Sequence, residues 1–282
     1  MTKVFTIHEK KILLMKIKEN SLLSHLYTIR RAMRKGQTLT DADLSIIEQK
    51  ISNGYYKLDE TNETGNQPLH WAIRIGDPAL VEMLVKYGAD VNALTGVKNT
   101  PMVWTAKEDI RAITIAKILI DNGADVNPKE EPLMGKTPLI FAAQNGNVDL
   151  VKFLIANGAL LEKKSQEGKT ALLYALYGNE SKHDQSARIL LNAGARYYTS
   201  DEPDVGERIL MAAAEEGNTE LIWTLIQQSS EKGCTRLLDI NYLCNTQGVN
   251  YITPLDLAKE NAHQEVIDLL TFYGAYSSGY LY

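Results

Sequence analysis

Apolar residues recur along most of the chain as pairs of short stripes set off by glycine. In GKTPLIFAAQNGNVDLVKFLIANGA, residues 135–159, Leu139, Ala142 and Ala143 share one helical face, and beyond Gly146 a second stripe holds Leu150, Val151, Leu154 and Ile155. The threonine and proline ahead of the first stripe predict its start, because threonine caps a helix and proline's fixed φ and missing N–H suit the first turn. Gly158 predicts the end of the second helix, since glycine enters the left-handed region without steric cost.

The same pattern returns. It starts at Gly65, Lys98, Gly135, Gly168, Gly206 and Tyr251, at spacings of 33, 37, 33, 38 and 45 residues. A second landmark follows at Gly88-Ala89, Gly123-Ala124, Gly158-Ala159, Gly194-Ala195 and Gly274-Ala275. Leu69, Ala72 and Ile73 restate the first stripe, and Leu80, Val81, Leu84 and Val85 the second. One helix pair of this size cannot bury its apolar faces alone, so neighbouring pairs supply the other wall and the fold is an open-ended solenoid.

These residues resemble the ankyrin repeat family, whose TPLHxA is nearly complete in QPLHWA (67–72) and whose GADVN is intact at 88–92 and 123–127. The resemblance covers about residues 61–276 and implies an all-α ankyrin-repeat solenoid of about six helix-turn-helix repeats. The expected division is an N-terminal helical cap over 1–60 and a repeat domain over 61–282, with repeats near 61–95, 96–131, 132–165, 166–201, 202–247 and 248–282. The fifth unit departs from the pattern: it lacks Gly-Ala-Asp, and the insertion SSEKGCTRLLDINYLCNTQGVN predicts a bulged or extended loop. Asn92 and Asn127 resemble asparagines that protein hydroxylases modify in this family; the other reading is that they bond the turn backbone.

A solenoid needs polar ends. In the last unit Lys259 stands where the third has Ala143, and Thr271 where it has Ile155. At the other end, helices are predicted over 7–19, 21–35 and 41–52, the last opened by a capping box of Thr40 with Asp43. The third of these reads as part of a degenerate repeat, with Leu22, Leu23, Leu26, Ile29 and Met33 packing from the helix before it.

Composition adds little: 44% hydrophobic and 23% charged residues describe an ordinary globular chain. The opening residues never reach the uninterrupted apolar run of a signal or membrane span, so no span, no Sec export and a cytoplasmic setting are expected. Cys234 and Cys244 lack companions at zinc spacing, which fits a reducing compartment. Charge is uneven. Residues 1–36 carry +7 and the remainder −12, so the head could meet anionic lipid or an acidic partner with the repeats as spacer.

Candidate chemistry is sparse. His8, His25, His70, His183 and His263 are scattered, and no phosphate loop, nucleophile elbow or metal-binding helix appears. The expectation is therefore no enzyme activity, no cofactor and no metal. A protein or peptide partner would lie in the concave groove formed by the first helices and turn tips, and the chain is expected to be a monomer. The residues expected to touch that partner are Arg74 and Ile75, Lys107 and Glu108, Gln144 and Asn145, Tyr177, and Glu215 and Glu216, with Asn66, Asn99, Lys136, Val205 and Glu207 among others open to the groove. Trp71, Trp104, Phe141 and Tyr174 stand at one repeat position, and each either packs on the next repeat or anchors a partner. Seven acids within 201–220 against one arginine disfavour nucleic acid and favour a basic protein segment there. The Ile, Lys, Asn and Tyr content and the tail SSGYLY resemble effectors that intracellular bacteria inject into host cells, which would place the chain in the host cytosol.

Overall fold

The computed structural model describes residues 21–36, 38–109, 111–130, 132–176, 181–196, 205–229, 238–246 and 250–278. The expected helix over 7–19, His8, Tyr177 and Cys234 lie outside them.

The described residues begin with α1 (Leu22–Met33) and α2 (Asp41–Ser52). Thr40 and Asp43 form the expected capping box, each side chain accepting from the other's backbone N–H at 3.2 and 3.1 Å. Six helix pairs follow: α3 (Pro68–Ile75) with α4 (Pro78–Lys86), α5 (Pro101–Glu108) with α6 (Ala112–Asp121), and α7 (Pro138–Gln144) with α8 (Val148–Ala156). Then come α9 (Ala171–Leu176) with α10 (Ser181–Asn192), α11 (Val205–Glu216) with α12 (Thr219–Ser229), and α13 (Pro254–Glu260) with α14 (Gln264–Phe272). Thr100, Thr137 and Thr253 cap the first helices of their units by accepting from the N–H three residues on.

Second helices end alike. Gly158, at φ +81°, donates to Ile155 O and Ala159 donates to Leu154 O, the paired bonds of a Schellman motif. The same two bonds recur at Gly88, Gly123, Gly194 and Gly274, and again at Gly54 after α2, where Tyr55 donates to Lys50 O. Helix α2 therefore closes as a repeat's second helix does.

The first helices α3, α5, α7 and α9 pack against one another in chain order, α1 lies on α3, and the second helices form a parallel row from α4 to α14. At the junction of the fourth and fifth units the contact runs through the second helices α10 and α12. Leu84, Leu119, Leu154, Leu190, Leu225 and Leu270, one per unit, are all fully buried. The core is thus one strip running the length of the stack. Lys259 and Thr271 are exposed in the last unit, as a terminal face requires.

A ladder of side chains ties consecutive turns together. Asn92 donates to Gly123 O at 3.0 Å and accepts from Asp125 N–H at 2.8 Å; Asn127 donates to Gly158 O at 2.8 Å and accepts from Leu160 N–H at 2.9 Å. Glu162 holds the corresponding place in the third unit and accepts from Arg196 N–H at 2.9 Å. As a carboxylate it has no proton to give the next carbonyl. Glu162→Asn restores that donor, and the expected gain is about 0.5–1.5 kcal/mol, read as a higher urea midpoint at unchanged m value; an unchanged midpoint contradicts it.

Where it is described, the insertion in the fifth unit holds strand and turn structure beyond the bulged or extended loop expected. Within the described residues, β1 (Cys244–Thr246) pairs antiparallel with β2 (Asn250–Ile252), so the fold is all-α apart from this short hairpin. Asp239 and Asn241 rebuild the missing turn: Asn241 N–H donates to Asp239 Oδ1 at 2.9 Å, and Asn241 Oδ1 accepts from Tyr276 N–H at 2.9 Å, the ladder bond again.

Candidate functional site

Four expected partner-binding positions, Arg74, Lys107, Gln144 and Glu215, occupy the same place near the C-terminal end of a first helix, and their stripes force them out of the core. Arg74 is half-buried, and Lys107, Gln144 and Glu215 are exposed, with Glu216 exposed beside the last. Glu108 and Asn145 are half-buried, and Asn145 donates to Ala106 O at 2.9 Å, which fixes the third unit to the second.

Other positions are turned inward. Ile75 is only 6% exposed, contrary to the expected groove position, because α1 and α5 flank α3 and draw its last turn into the core. Asn66, Asn99, Lys136, Val205 and Glu207 are also buried rather than open. Asn99 closes the hairpin of its own turn through bonds with Thr95, and Glu207 accepts from Asp239 N–H at 3.2 Å. Lys136 keeps its ammonium 4.5 Å above the Tyr174 ring and donates to Gln144 Oε1 at 3.1 Å. The four aromatics divide: Trp104 and Tyr174 are buried, Trp71 and Phe141 half-buried. Packing and surface roles alternate along the row.

The densest constellation joins α1 to the first two helix pairs. The Arg74 guanidinium lies 5.3 Å from the Trp71 ring and 5.7 Å from the Trp104 ring, with Nε 3.4 Å from Glu108 Oε1. Arg30 of α1 donates to Arg74 O and brings Nη2 to 3.8 Å of the same Glu108. Burial first, and the neighbouring Arg74 charge second, hold the Arg30 pKa below its usual value. Lys107 sets its ammonium 5.6 Å from the far ring, and Tyr27 meets Trp71 edge-on at 5.7 Å. The indole N–H groups of Trp71 and Trp104 have no hydrogen-bond partner among the described residues.

The expectation built from single repeats did not include Tyr27 or Arg30. A signal existed for both, since Tyr27 and Arg30 border the Leu22-Leu26-Ile29 stripe.

The described histidines serve structure. His25 bonds Tyr56 Oη at 3.0 Å, His183 bonds Gln144 O at 3.1 Å and His263 bonds Glu215 O at 2.9 Å. His70 Nδ1 accepts from Gln67 N–H at 3.2 Å, and burial pushes its pKa down to about 4. Among the described residues no group of His, Cys, Asp or Glu is placed to hold a metal, and no helix is long and apolar enough to cross a membrane.

Comparison with known proteins gives the same pattern. The family described as ankyrin repeats in three copies matches residues 37–130 and 113–201, together more than half of the chain. The chain is 28% identical over 226 residues to transient receptor potential cation channel subfamily A member 1 of Homo sapiens, covering 79% of this chain and 19% of that protein. It is 32% identical over 130 residues to the Caenorhabditis elegans homologue of that channel, covering 46% of this chain and 10% of that one. Against the ankyrin repeat and KH domain-containing protein mask-1 of Caenorhabditis elegans it is 29% identical over 209 residues, 74% of this chain and 7% of that protein. The chain thus spans less than a fifth of the length of each of these relatives.

Proposed function

Because this chain belongs to the ankyrin-repeat family, a family of protein-protein interaction modules, we propose that it is a non-enzymatic adaptor that holds a protein or peptide along its row of first helices. The reading divides the chain into a cap over 1–60 and a repeat stack over 61–282, working as a monomer. One observation carries it: a single repeat position brings Arg74, Lys107, Gln144 and Glu215 to the surface in four units while the stripe residues of the same helices, such as Leu69, Ala72, Leu139, Ala143, Leu210 and Ala214, are buried. Side chains released from packing at a regular interval form a continuous surface, which is what an extended partner needs.

The test is partner recovery by affinity purification and mass spectrometry from cell lysate. Combined Arg74→Ala, Lys107→Ala, Gln144→Ala and Tyr177→Ala changes should abolish capture at unchanged helicity. Undiminished recovery overturns the assignment. The reading in which a basic head binds anionic lipid or an acidic partner falls largely on residues 1–20, outside the described ones. The effector and host-cytosol reading rests on composition and tail, and a translocation reporter fused to the chain tests it.

A further inference from the structure

Resting on the groove reading above, we infer that the Arg30, Arg74 and Lys107 cluster over Trp71 and Trp104 takes an acidic peptide segment of the partner, with a partner carboxylate against the guanidinium pair.

Charge complementarity carries the choice. Two guanidiniums share one carboxylate, Glu108, and the exposed Lys107 ammonium stands on the Trp104 ring beside them. Each guanidinium carries five N–H groups in a fixed fork, so a single shared carboxylate leaves donor capacity over. The side chains of Arg30 and Arg74 are 15% and 32% exposed, and Arg34 adds a further cation close enough to act on Arg30. Desolvation of this degree strengthens an incoming charge pair relative to one formed in open water.

The aromatic rings supply the second, independent observation. Trp104 is nine-tenths buried, yet its indole N–H has no acceptor among the described residues, and the same holds for Trp71. Both rings lie against the Arg74 guanidinium. Both N–H groups are closed to solvent, so the rings serve the ligand as the platform under the cations and not as donors. Rings beneath the cations also hold the guanidinium and ammonium in place, so less freedom is lost on binding. The chain as a whole carries −5, so a local excess of cations sets this place apart for an acidic peptide.

The probe is a short poly-glutamate peptide titrated into the full chain carrying Trp223→Phe, which leaves Trp71 and Trp104 as the fluorescent reporters. Poly-glutamate should shift their emission, the affinity should fall with added salt, and Lys107→Glu, an exposed change that spares the core, should weaken it by about tenfold or more. Arg74→Glu should do the same, with circular dichroism reporting the fold. No emission shift, or one that Lys107→Glu leaves unaltered, overturns the inference. A shift produced by poly-lysine in place of poly-glutamate overturns the acidic class while the groove reading stands, since that reading is judged by partner recovery.

Discussion

Leu154→Ala is expected to lower the stability of the chain by about 2–5 kcal/mol, the cost of a buried leucine whose surroundings cannot collapse into the space it leaves. Leu154 is fully buried in α8, and helices α6, α7 and α10 pack on that helix. In a stack stabilised by contacts between neighbours, a loss at the centre also uncouples the two halves. Urea unfolding followed by tryptophan emission, which reports chiefly Trp71 and Trp104 in the first two units and Trp223 in the fifth, should then separate from unfolding followed by far-ultraviolet circular dichroism. Leu270→Ala, in the last unit with one neighbour, should fray that end and leave the first two units unfolding as before. A single coincident transition at the parent midpoint for Leu154→Ala contradicts the strip-like core.

Acidification should destabilise the chain through His70 by about 3 kcal/mol, the second large effect. The pKa of His70 is lowered from 6.5 to about 4, because the ring is fully buried; contacts with the backbone of Ala93, Asn99 and Gln67 and the charge of Asp90 pull the other way. The folded state therefore binds fewer protons than the unfolded chain between those two values. Stability is full above about pH 6.5 and drains away as the pH falls toward about 4. His70→Gln keeps an acceptor near Gln67 and does not titrate, so the difference in unfolding free energy between the parent and this variant should shift by that amount across the window. A difference independent of pH removes the account of His70 as a neutral cap.

Local elements were legible because their causes are local. Thr40 with Asp43, Thr137 with Pro138, and Gly158 each satisfy or release backbone groups within a few residues, so the boundaries of α2, α7 and α8 follow from the residues themselves. Asn92 and Asn127 as turn residues were readable for the same reason, though their carbonyl partners 31 residues away were not. Asn241 was missed because the alignment depended on Gly-Ala, which the fifth unit lacks, while the Asp-Ile-Asn that does the bonding was present.

The candidate site was half legible. Repeat register put Arg74, Lys107, Gln144 and Glu215 at one position, and register is a property of spacing. Whether Trp104 packs while Trp71 stays half-exposed depends on what lies against each ring, and Arg30 reaches Arg74 across 44 residues of chain.

The sequence by itself determined the repeat, the ends of its helices and the strip of leucines, because periodicity and capping act over a few residues. Only the tertiary structure decided that Ile75 and Lys136 are buried, that Arg30 joins Arg74 at Glu108, and that the insertion forms a hairpin. Those outcomes depend on the neighbouring unit and the cap, and a solenoid sets such contacts through the stacking of one unit on the next, which no single unit encodes.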